Sequence, residues 1–380
     1  MLRFRLLVMF LLLPVLMPVV QAAPVAATAP VVRLHDAMQF VEDPQHIHTL
    51  DSIRQSSVVW TDNGTSVFNQ GYSKSAWWLK LQLENSSDES LPRLLEVGYA
   101  ALDHVDVFVL HNDVLQQHFV MGDKLPYAQR PVDHRFFMAP ITLMPHQMLD
   151  VYVRVQSSGA VQAPLTLWEY GQFHSSNFTA TILQGLYYGG ILTIAIYNLL
   201  IFFVLGDRNY LYYVAFMLCT MMTLAAQSGL AFRFLWPDAT TWNDLAIVFF
   251  TAATAGFAAI FTLRFLLLET LSRLLLRLMQ GMGLFSVLLM VLCFVVPYHT
   301  IAVVILLNVI AVIALAVVAG SYALARGVPS ARYYMLAWSI LLVGALVVVL
   351  SRLGFLPVNL FTEYSTQLGS LLESILLSLA

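Results

Sequence analysis

Seven apolar runs follow residue 180, and they constrain this chain more than any other feature of its sequence. Each run is about 20 residues long or longer, the length that an α-helix needs to cross the hydrocarbon core of a bilayer. The runs cover residues 181–205, 210–230, 244–266, 277–297, 300–324, 333–352 and 361–380. Backbone polar groups in lipid must be satisfied within their own segment, so we expect a seven-helix transmembrane bundle over residues 181–380.

The arginines between these runs indicate the direction in which the first span enters the membrane. Basic residues near the ends of spans favour the cytoplasmic side. If residue 181 lies outside, the inner connections hold Arg208, Arg264, Arg273, Arg277, Arg326 and Arg332, and the outer ones hold Arg233 and Arg352. This excess predicts an outside N-terminus and, after seven spans, a cytoplasmic C-terminus.

The first 22 residues have the order of a secretory signal peptide. Arg3 and Arg5 precede an apolar run over residues 6–20, and Val20-Gln21-Ala22 fits a cleavage site after Ala22. The alternative is an uncleaved helix, for which this run is short. Residues 23–33 are rich in Pro and Ala without periodicity, which predicts a flexible N-terminus of the mature protein.

Residues 34–172 alternate apolar and polar side chains with the two-residue period of β-strands. The clearest apolar rows are Leu79, Leu81 and Leu83, then Val105, Val107 and Val109, then Val151, Val153 and Val155. Turn signals such as His111-Asn112-Asp113 separate these rows. Short strands at this spacing predict a jelly-roll-like β-sandwich, so the expected fold class is an exported sandwich followed by a helical membrane bundle.

The segment that precedes the apolar runs is acidic and contains no cysteine. Residues 24–178 hold nine Lys/Arg and sixteen Asp/Glu, which gives a net charge of −7. An acidic surface argues against nucleic acid as a partner. Cys219 and Cys293 both lie in apolar runs, so we expect the exported domain to be stabilised by its core and not by disulfides.

Two regions of the sequence resemble one known family. The runs SAWWLKLQLENSS, LLEVGYAALDHVDVFVL, GDKLPYAQRPVDHRFF and VYVRVQSSGAVQAPLTLW resemble the type-2 extracellular domain of bacterial seven-transmembrane receptors with diverse intracellular signalling modules. The runs GLYYGGILTIAIYNLLIFFVLGDRNYLYYVAF, GLAFRFLWPD and ARYYMLAWSILLVGALVVVLSRLGFLPVN resemble the membrane domain of the same family. The resemblance implies a carbohydrate-binding-module-like fold, a sensory role in the periplasm and a place in the bacterial inner membrane.

The resemblance also implies partners. Proteins of this family continue past the seventh helix into a linker and an output module such as a histidine kinase or a diguanylate cyclase, which we expect to lie outside these 380 residues. The expected partners are therefore a small periplasmic ligand, with carbohydrate as a candidate, the lipid bilayer and a cytoplasmic signalling module. A second copy of the chain, forming a homodimer, is a further candidate.

Six residues of the exported domain are of the kind that binds sugars. A pyranose presents CH faces and a ring of hydroxyls, which match flat aromatic rings beside planar hydrogen-bonding groups. The candidates are Trp60, Trp78, Arg130, Arg135, Arg154 and Trp168. Trp78 and Arg154 alternate with apolar rows, so we expect both to point to the surface. The alternative is that the tryptophans are core and the arginines are solvated or ion-paired.

Polar residues recur at helical spacing along the last apolar run: Glu363, Thr366, Ser370 and Glu373. Such a stripe is unfavourable against lipid and should pack inside the bundle or against a partner copy. We expect it to relay a signal by repacking, with a purely structural pairing of Glu373 as the alternative.

The sequence shows no catalytic motif. A nucleophile elbow, a phosphate-binding loop and a zinc-binding helix motif are absent. His46 and His48 could share one strand face, but no close third ligand completes a metal site. We therefore predict no catalytic residue, cofactor or metal. The rival functions are a transporter or channel, which the absence of a hydropathy repeat weakens, and a stand-alone binding protein that recruits a signalling partner.

Overall fold

The computed structural model describes residues 23–25, 29–55, 57–64, 66–352, 355–356 and 360–379. The predicted signal peptide over residues 1–22, with its cleavage site after Ala22, lies outside the described residues.

Thirteen strands among the described residues build the N-terminal domain. They are β1 (Ala23–Val25), β2 (Val31–Arg33), β3 (Gln39–Asp43), β4 (Thr61–Asp62), β5 (Phe68–Tyr72), β6 (Ala76–Asn85), β7 (Leu91–Val97), β8 (His104–His111), β9 (Val114–Met121), β10 (Phe137–Leu143), β11 (Met148–Gln156), β12 (Ala160–Ala163) and β13 (Leu165–Glu169). One sheet has the strand order β4-β3-β6-β11-β8-β9, and β1 also pairs with β6. A second sheet has the order β10-β7-β13-β2, and β12 pairs with β5 in a third. The two larger sheets enclose a single apolar core, which confirms the predicted β-sandwich.

The predicted apolar rows are the reason why the sheets pack. In the antiparallel register, Val153 of β11 lies between Leu79 of β6 and Val107 of β8. All nine residues of the three rows are at most 1% exposed. Burying each such side chain contributes roughly 1.5–3 kcal/mol, so these central strands supply much of the stability of the sandwich.

The outer face of β6 and β11 is covered as well, which the sequence did not reveal. Trp78 is 1% exposed and packs with Ile53, Leu110 and Tyr152 in a second, smaller core. Ile53 belongs to a short helix, Leu50–Ile53, that lies over this face. The expectation that Trp78 points to the surface is therefore wrong.

The structure also differs from the prediction near the N-terminus. Within the segment expected to be flexible, β1 runs parallel to the end of β6 and β2 pairs antiparallel with β13. Main-chain pairing to a sheet edge needs no side-chain periodicity, which explains why the Pro/Ala composition did not indicate it.

Seven long helices among the described residues follow the sandwich. They are α1 (Tyr170–Leu205), α2 (Arg208–Gln227), α3 (Thr240–Phe265), α4 (Arg273–Leu292), α5 (Tyr298–Ala325), α6 (Ser330–Arg352) and α7 (Leu360–Ser378), with short helices at Leu230–Phe234 and Leu268–Leu271. Within the part of the chain that the structure describes, six helices, α1 to α6, are long and apolar enough to cross a membrane. α7 has 19 residues and includes two glutamates, so a seventh span stays a prediction.

Helix α1 continues directly from the last strand of the sandwich. β13 ends at Glu169 and α1 begins at Tyr170, earlier than the predicted start at residue 181. No linker separates the two elements.

Helix α7 lies parallel to α1 and shares a row of polar contacts with it. Gln367 donates to the side-chain oxygen of Gln184 at 3.0 Å, and further down Asn198 donates to Ser378 at 2.7 Å. Between them, the hydroxyl oxygens of Tyr187 and Ser370 are 2.9 Å apart. Residue numbers rise together along both helices, so α1 and α7 run from the sandwich in the same direction.

Candidate ligand site between the two domains

A cavity of about 610 Å³ lies where the N-terminal domain meets the helical bundle. The domain supplies residues from the ends of its strands, and the bundle supplies residues from six helices, α1, α2, α3, α5, α6 and α7. The bundle side is lined by Gln184, Leu224, Gln227, Ser228, Asp244, Ile247, Tyr298, Glu363, Tyr364, Thr366 and Gln367, among others. A molecule bound here would contact both parts of the protein at once.

The lining of this cavity is rich in groups that bind small polar molecules. Its carboxylates are Asp103, Asp123, Asp244 and Glu363, and its amides are Gln162, Gln184, Gln227 and Gln367. Its guanidinium is that of Arg135, and its aromatic rings are those of Tyr72, Tyr99, Phe136, Tyr298 and Tyr364. Binding sites of this size usually hold a few well-placed polar groups beside apolar and aromatic walls. The arrangement can therefore hold a ligand with several hydroxyl or amino groups.

Three of the carboxylates lie close together in one wall of the cavity. One oxygen each from Asp103, Asp123 and Asp244 lies within 4.8 Å of the others. Asp103 precedes β8 and Asp123 follows β9, whereas Asp244 lies near the start of α3. We refer to these residues as the carboxylate triad. Lys124 forms an ion pair with Asp244.

A glycine allows the two carboxylates of the N-terminal domain to approach each other. Gly122 has a φ of +155°, and a Cβ at this position would overlap the carbonyl oxygen of Asp103. The next N–H, that of Asp123, donates to the carbonyl oxygen of Leu102 at 2.9 Å. Burial, and then the nearby charge of Asp103, raise the pKa of Asp123 to about 7.

Arg130 lies at the junction of the N-terminal domain and the bundle, beside the cavity. Its guanidinium donates to the carbonyl oxygens of His134 and Arg135, at 2.9 and 2.8 Å. The same group lies over the rings of Tyr127, Phe137 and Phe232, and Phe232 belongs to the bundle. Burial lowers the pKa of Arg130 to about 10, so the side chain remains charged at neutral pH.

A second set of contacts reinforces this junction. Arg233 of the bundle donates to the carboxylate of Asp133 at 2.9 Å, and the hydroxyl of Tyr127 donates to the other oxygen of the same carboxylate at 2.9 Å. The hydrogen bond from Arg233 is the main reason why the pKa of Asp133 lies below its ordinary value. The N–H of Tyr127 also donates to the carbonyl oxygen of Pro237 at 3.0 Å. The two domains are thus held together through backbone as well as side chains.

Comparison with known families agrees with this architecture. Residues 180–380, more than half of the chain, match the family described as 7TM diverse intracellular signalling. The chain belongs to this family. Residues 35–169 match the family described as 7TMR-DISM extracellular 2. No curated protein matches the chain. The resemblance stated from the sequence is therefore confirmed, and the protein is a receptor-type membrane protein with an extracellular domain before its transmembrane helices.

Of the six residues predicted to bind ligand in this 7TM signalling protein, the cavity contains one, Arg135. Trp78 lies in the second core, and Arg130 is occupied by the junction. Arg154 lies 3.6 Å from the carboxylate of Asp106 and donates to Gln156 at 3.0 Å. The structure therefore separates these candidates from one another.

The remaining two candidates are tryptophans outside the cavity. Trp60 is half-buried, 6.0 Å from the ring of Tyr152, with the ammonium of Lys80 above its ring. Trp168 is half-buried against Phe173, at 6.2 Å between ring centroids. Both rings contact side chains of the protein itself, and their role in ligand binding stays a prediction.

Sequence reasoning missed the part of the site that the bundle supplies. Gln184, Gln227 and Asp244 line the cavity and were not among the predicted site residues. Ionisable or amide side chains on several membrane helices indicate a polar site when they lie at the same depth near one side of the membrane. The order of the spans would have placed these residues at the outer end.

The predicted relay residues of α7 extend from the cavity into the bundle. Glu363 and Thr366 line the cavity. Ser370 and Glu373 are each 2% exposed, and the carboxylate of Glu373 accepts a hydrogen bond from Ser374 at 3.3 Å. The inner half of the stripe, Ser370 and Glu373, therefore faces protein, as a polar stripe in a membrane bundle should.

Glu96 beside the cavity gives a test by pH. Burial raises its pKa to about 7 from 4.5, with opposing contributions from Trp168 and Arg135 and a further increase from Glu363. The folded protein then binds this proton more tightly than the unfolded chain, so stability falls as pH rises from 4.5 to about 7. We expect Glu96→Gln to stabilise the protein at pH 8 by at most about 3 kcal/mol, and to have no such effect below pH 4.5.

Thermal unfolding of the detergent-solubilised chain at a series of pH values measures this effect. Glu89→Gln, in the exposed turn after β6, is the matched control and should follow the wild-type curve. Parallel curves for wild type and Glu96→Gln between pH 5 and 8 would show that Glu96 carries no such penalty.

Proposed function

We propose that this chain is the sensory and membrane half of a signalling receptor in a bacterial inner membrane. The N-terminal domain lies in the periplasm, seven helices span the membrane and the C-terminus is cytoplasmic. A small polar ligand, with carbohydrate as the favoured class, binds in the cavity between the domains. The bound state is relayed through the helices to a cytoplasmic output module such as a histidine kinase or a diguanylate cyclase.

The observation that carries this proposal is the shared lining of the cavity. A ligand can shift a two-state equilibrium only when it binds one state better than the other. The ligand would contact strand ends of the N-terminal domain on one side and helix ends on the other, including those of α1 and α7. Any change in the distance between the domains alters these contacts, and this supplies the required difference in affinity.

The path inward is supported by two continuous elements. α1 is the direct extension of β13, and α7 begins at the cavity with Glu363 and Thr366. The two helices are joined by polar contacts down to Asn198 and Ser378. A relative shift of α1 and α7 at the cavity is therefore transmitted to the far end of the pair. The excess of arginine in the inner connections supports a cytoplasmic location of that end.

Carbohydrate is favoured by the kinds of groups in the lining. Sugars are bound by carboxylates and amides that exchange hydrogen bonds with hydroxyls, and by aromatic rings that cover CH faces. The cavity has four amide side chains and five aromatic rings in its lining. Its volume of about 610 Å³ lies within the range of pockets that hold small molecules.

A ligand screen on the full chain tests the proposal. The chain is reconstituted in nanodiscs, and mono- and disaccharides and small polar metabolites are screened by thermal shift and then titrated by calorimetry. We expect at least one saturable ligand whose affinity falls tenfold or more in Arg135→Ala and in Gln367→Ala. Arg154→Ala, at a residue of the same domain that is not in the cavity lining, is the matched control and should bind normally. A binder unaffected by both cavity variants, or no binder at all, contradicts the proposal.

The relay is measured in the same preparation by disulfide formation. Asn198→Cys and Ser378→Cys are combined in a chain with Cys219→Ser and Cys293→Ser, because these two side chains meet at the far end of α1 and α7. We expect saturating ligand to change the rate of cross-linking several-fold. Adding Glu373→Gln should preserve ligand binding and reduce this change, whereas an unaltered response would make the role of Glu373 structural.

A further inference from the structure

We propose that the carboxylate triad binds one divalent cation of the calcium class and thereby ties the N-terminal domain to α3. Two of the three ligands, Asp103 and Asp123, belong to the N-terminal domain, and the third, Asp244, belongs to the bundle. The cation site goes beyond the sensing of a small polar ligand and does not depend on it, since cation binding can be measured with no other ligand present.

The spacing of the triad fits a single ion. One oxygen from each residue lies within 4.8 Å of the other two. Oxygen ligands of Ca²⁺ lie at about 2.3–2.6 Å, so two ligands of one ion are at most about 5 Å apart. One cation between the three carboxylates can therefore reach all of them with small side-chain adjustments.

The chemistry of the surrounding groups selects a hard cation. Hydrogen bonds orient the carboxylate of Asp103: the hydroxyls of Ser157 and Ser158 each lie 3.3 Å from it, and the N–H of Ser158 donates to it at 3.0 Å. Among the described residues, the acidic group that could hold a metal here contains neither Cys nor His. Oxygen-only sites with several carboxylates favour Ca²⁺ or Mg²⁺ over Zn²⁺, and a site with adaptable geometry favours Ca²⁺.

One oxygen of the triad is buried without a hydrogen-bond partner among the described residues. Asp123 is 4% exposed and lines the cavity wall, and its Oδ1 has no hydrogen-bond partner among the described residues. A buried carboxylate oxygen that is neither hydrogen-bonded nor paired is costly. This observation is independent of the clustering, because a neighbouring N–H or O–H could have satisfied that atom, and none in the part of the chain that the structure describes does.

The charges favour the same conclusion. Three carboxylates close together repel each other, and Lys124, which pairs with Asp244, offsets only one of them. The side chain of Lys124 is 33% exposed, so it can move to solvent when a cation takes its place. A divalent ion would offset two of the three negative charges and join the two domains through three ligands.

Cation titrations of the full chain test the proposal. Protein stripped with a chelator is titrated with Ca²⁺ and, separately, with Mg²⁺ by calorimetry and thermal shift. We expect one Ca²⁺ per chain, a higher melting temperature, and tighter binding of Ca²⁺ than of Mg²⁺. Asp123→Asn and Asp244→Asn should each weaken Ca²⁺ binding at least tenfold. Asp133→Asn is the matched control from the same junction and should bind Ca²⁺ as the wild type does.

The outcomes separate the parts of the proposal. Both Asn variants reduce repulsion between carboxylates and should remain folded, which the melting curve without Ca²⁺ verifies. No saturable Ca²⁺ binding at millimolar concentration overturns the site, and tighter binding of Mg²⁺ overturns the calcium assignment. Loss in Asp123→Asn but not in Asp244→Asn overturns the bridge between the domains. Each result is obtained without a sugar, so it leaves the test of the sensing function separate.

Discussion

Gly344→Ala should loosen α7 from α6 and disrupt the relay, although it adds a single methyl group. A Cβ on Gly344 would overlap the carbonyl oxygen of Ser365, and the Cα of Gly369 would lie 3.5 Å away. The two backbones are in contact at this point, as is common where small residues meet between membrane helices. The neighbour in the way is backbone, which cannot rotate aside, so the helices must separate. Overpacking of this kind costs about 1–3 kcal/mol.

Two hydrogen bonds to the carbonyl oxygen of Gly344 make this position sensitive to substitution. The carbonyl oxygen of Gly344 accepts hydrogen bonds from the hydroxyls of Ser365 and Thr366, at 3.0 and 3.4 Å. A shift that relieves the overlap also lengthens both bonds. Because Thr366 lines the cavity, the change reaches the ligand site as well. A structural defect in the bundle is thereby coupled to the affinity for ligand.

Disulfide formation between Asn198→Cys and Ser378→Cys, together with thermal unfolding, measures the effect of Gly344→Ala. We expect cross-linking to slow by roughly tenfold, the factor that about 1.4 kcal/mol produces, and the melting temperature to fall. Gly189→Ala on α1 is the matched control, because a Cβ there meets nothing within 4 Å. Equal behaviour of the two alanine variants would show that the approach of α6 and α7 is unimportant.

Periodicity in the sequence predicts which faces are buried but not what covers them. The alternation of Leu79, Leu81 and Leu83 placed these residues in the core correctly. The same alternation placed Trp78 on the surface, because nothing near it in sequence indicated that Leu50–Ile53 would cover this face. A second core on the outer side of a sheet depends on a segment remote in sequence. Local pattern carries no information on such a contact.

The candidate site was beyond sequence reasoning for a related reason. Asp103, Asp123 and Asp244 are far apart along the chain and have no common spacing, and the fold alone brings their oxygens within 4.8 Å. In contrast, the stripe on α7 could be predicted, because its members follow helical spacing within one element. The burial of Ser370 and Glu373 agrees with that pattern. A site assembled from residues of both domains therefore cannot be predicted from local sequence pattern and is recognised only in the folded structure.

Arg130→Ala should loosen the segment of the N-terminal domain that contacts the bundle, because all but one of its partners, Phe232, belong to that segment, and should thereby weaken the junction. The substitution removes two charged hydrogen bonds to the carbonyl oxygens of His134 and Arg135 and the stacking of one guanidinium on three rings. Hydrogen bonds from charged groups are worth about 1.5–3 kcal/mol, and stacking on an aromatic ring about 0.5–2 kcal/mol. These interactions share a single side chain and are not additive, so we expect a loss of about 3–5 kcal/mol.

Two variants separate the role of geometry from that of charge. Arg130→Lys keeps the positive charge but lacks the planar guanidinium, which reaches two carbonyls while it lies on the rings of Tyr127, Phe137 and Phe232. The lysine variant should therefore recover less than half of the lost stability. Arg154→Ala removes a partly buried ion pair with Asp106 whose N–O distance is a long 3.6 Å, and it should cost below about 1 kcal/mol. Full recovery by lysine would mean that charge alone holds the junction.

Thermal unfolding and hydrogen exchange on the full chain distinguish a local from a global effect. In Arg130→Ala, we expect faster exchange over residues 127–136 and 229–237, where the two domains meet, and unchanged exchange in β6, β8 and β11. Within the described residues, Arg130 touches the sandwich core only at Phe137, so the N-terminal domain should remain folded while its contact with the bundle opens. Wild-type exchange at both segments would exclude Arg130 as the link between the domains. If exchange does increase, ligand binding should weaken too, because the cavity exists only while the two domains remain in contact.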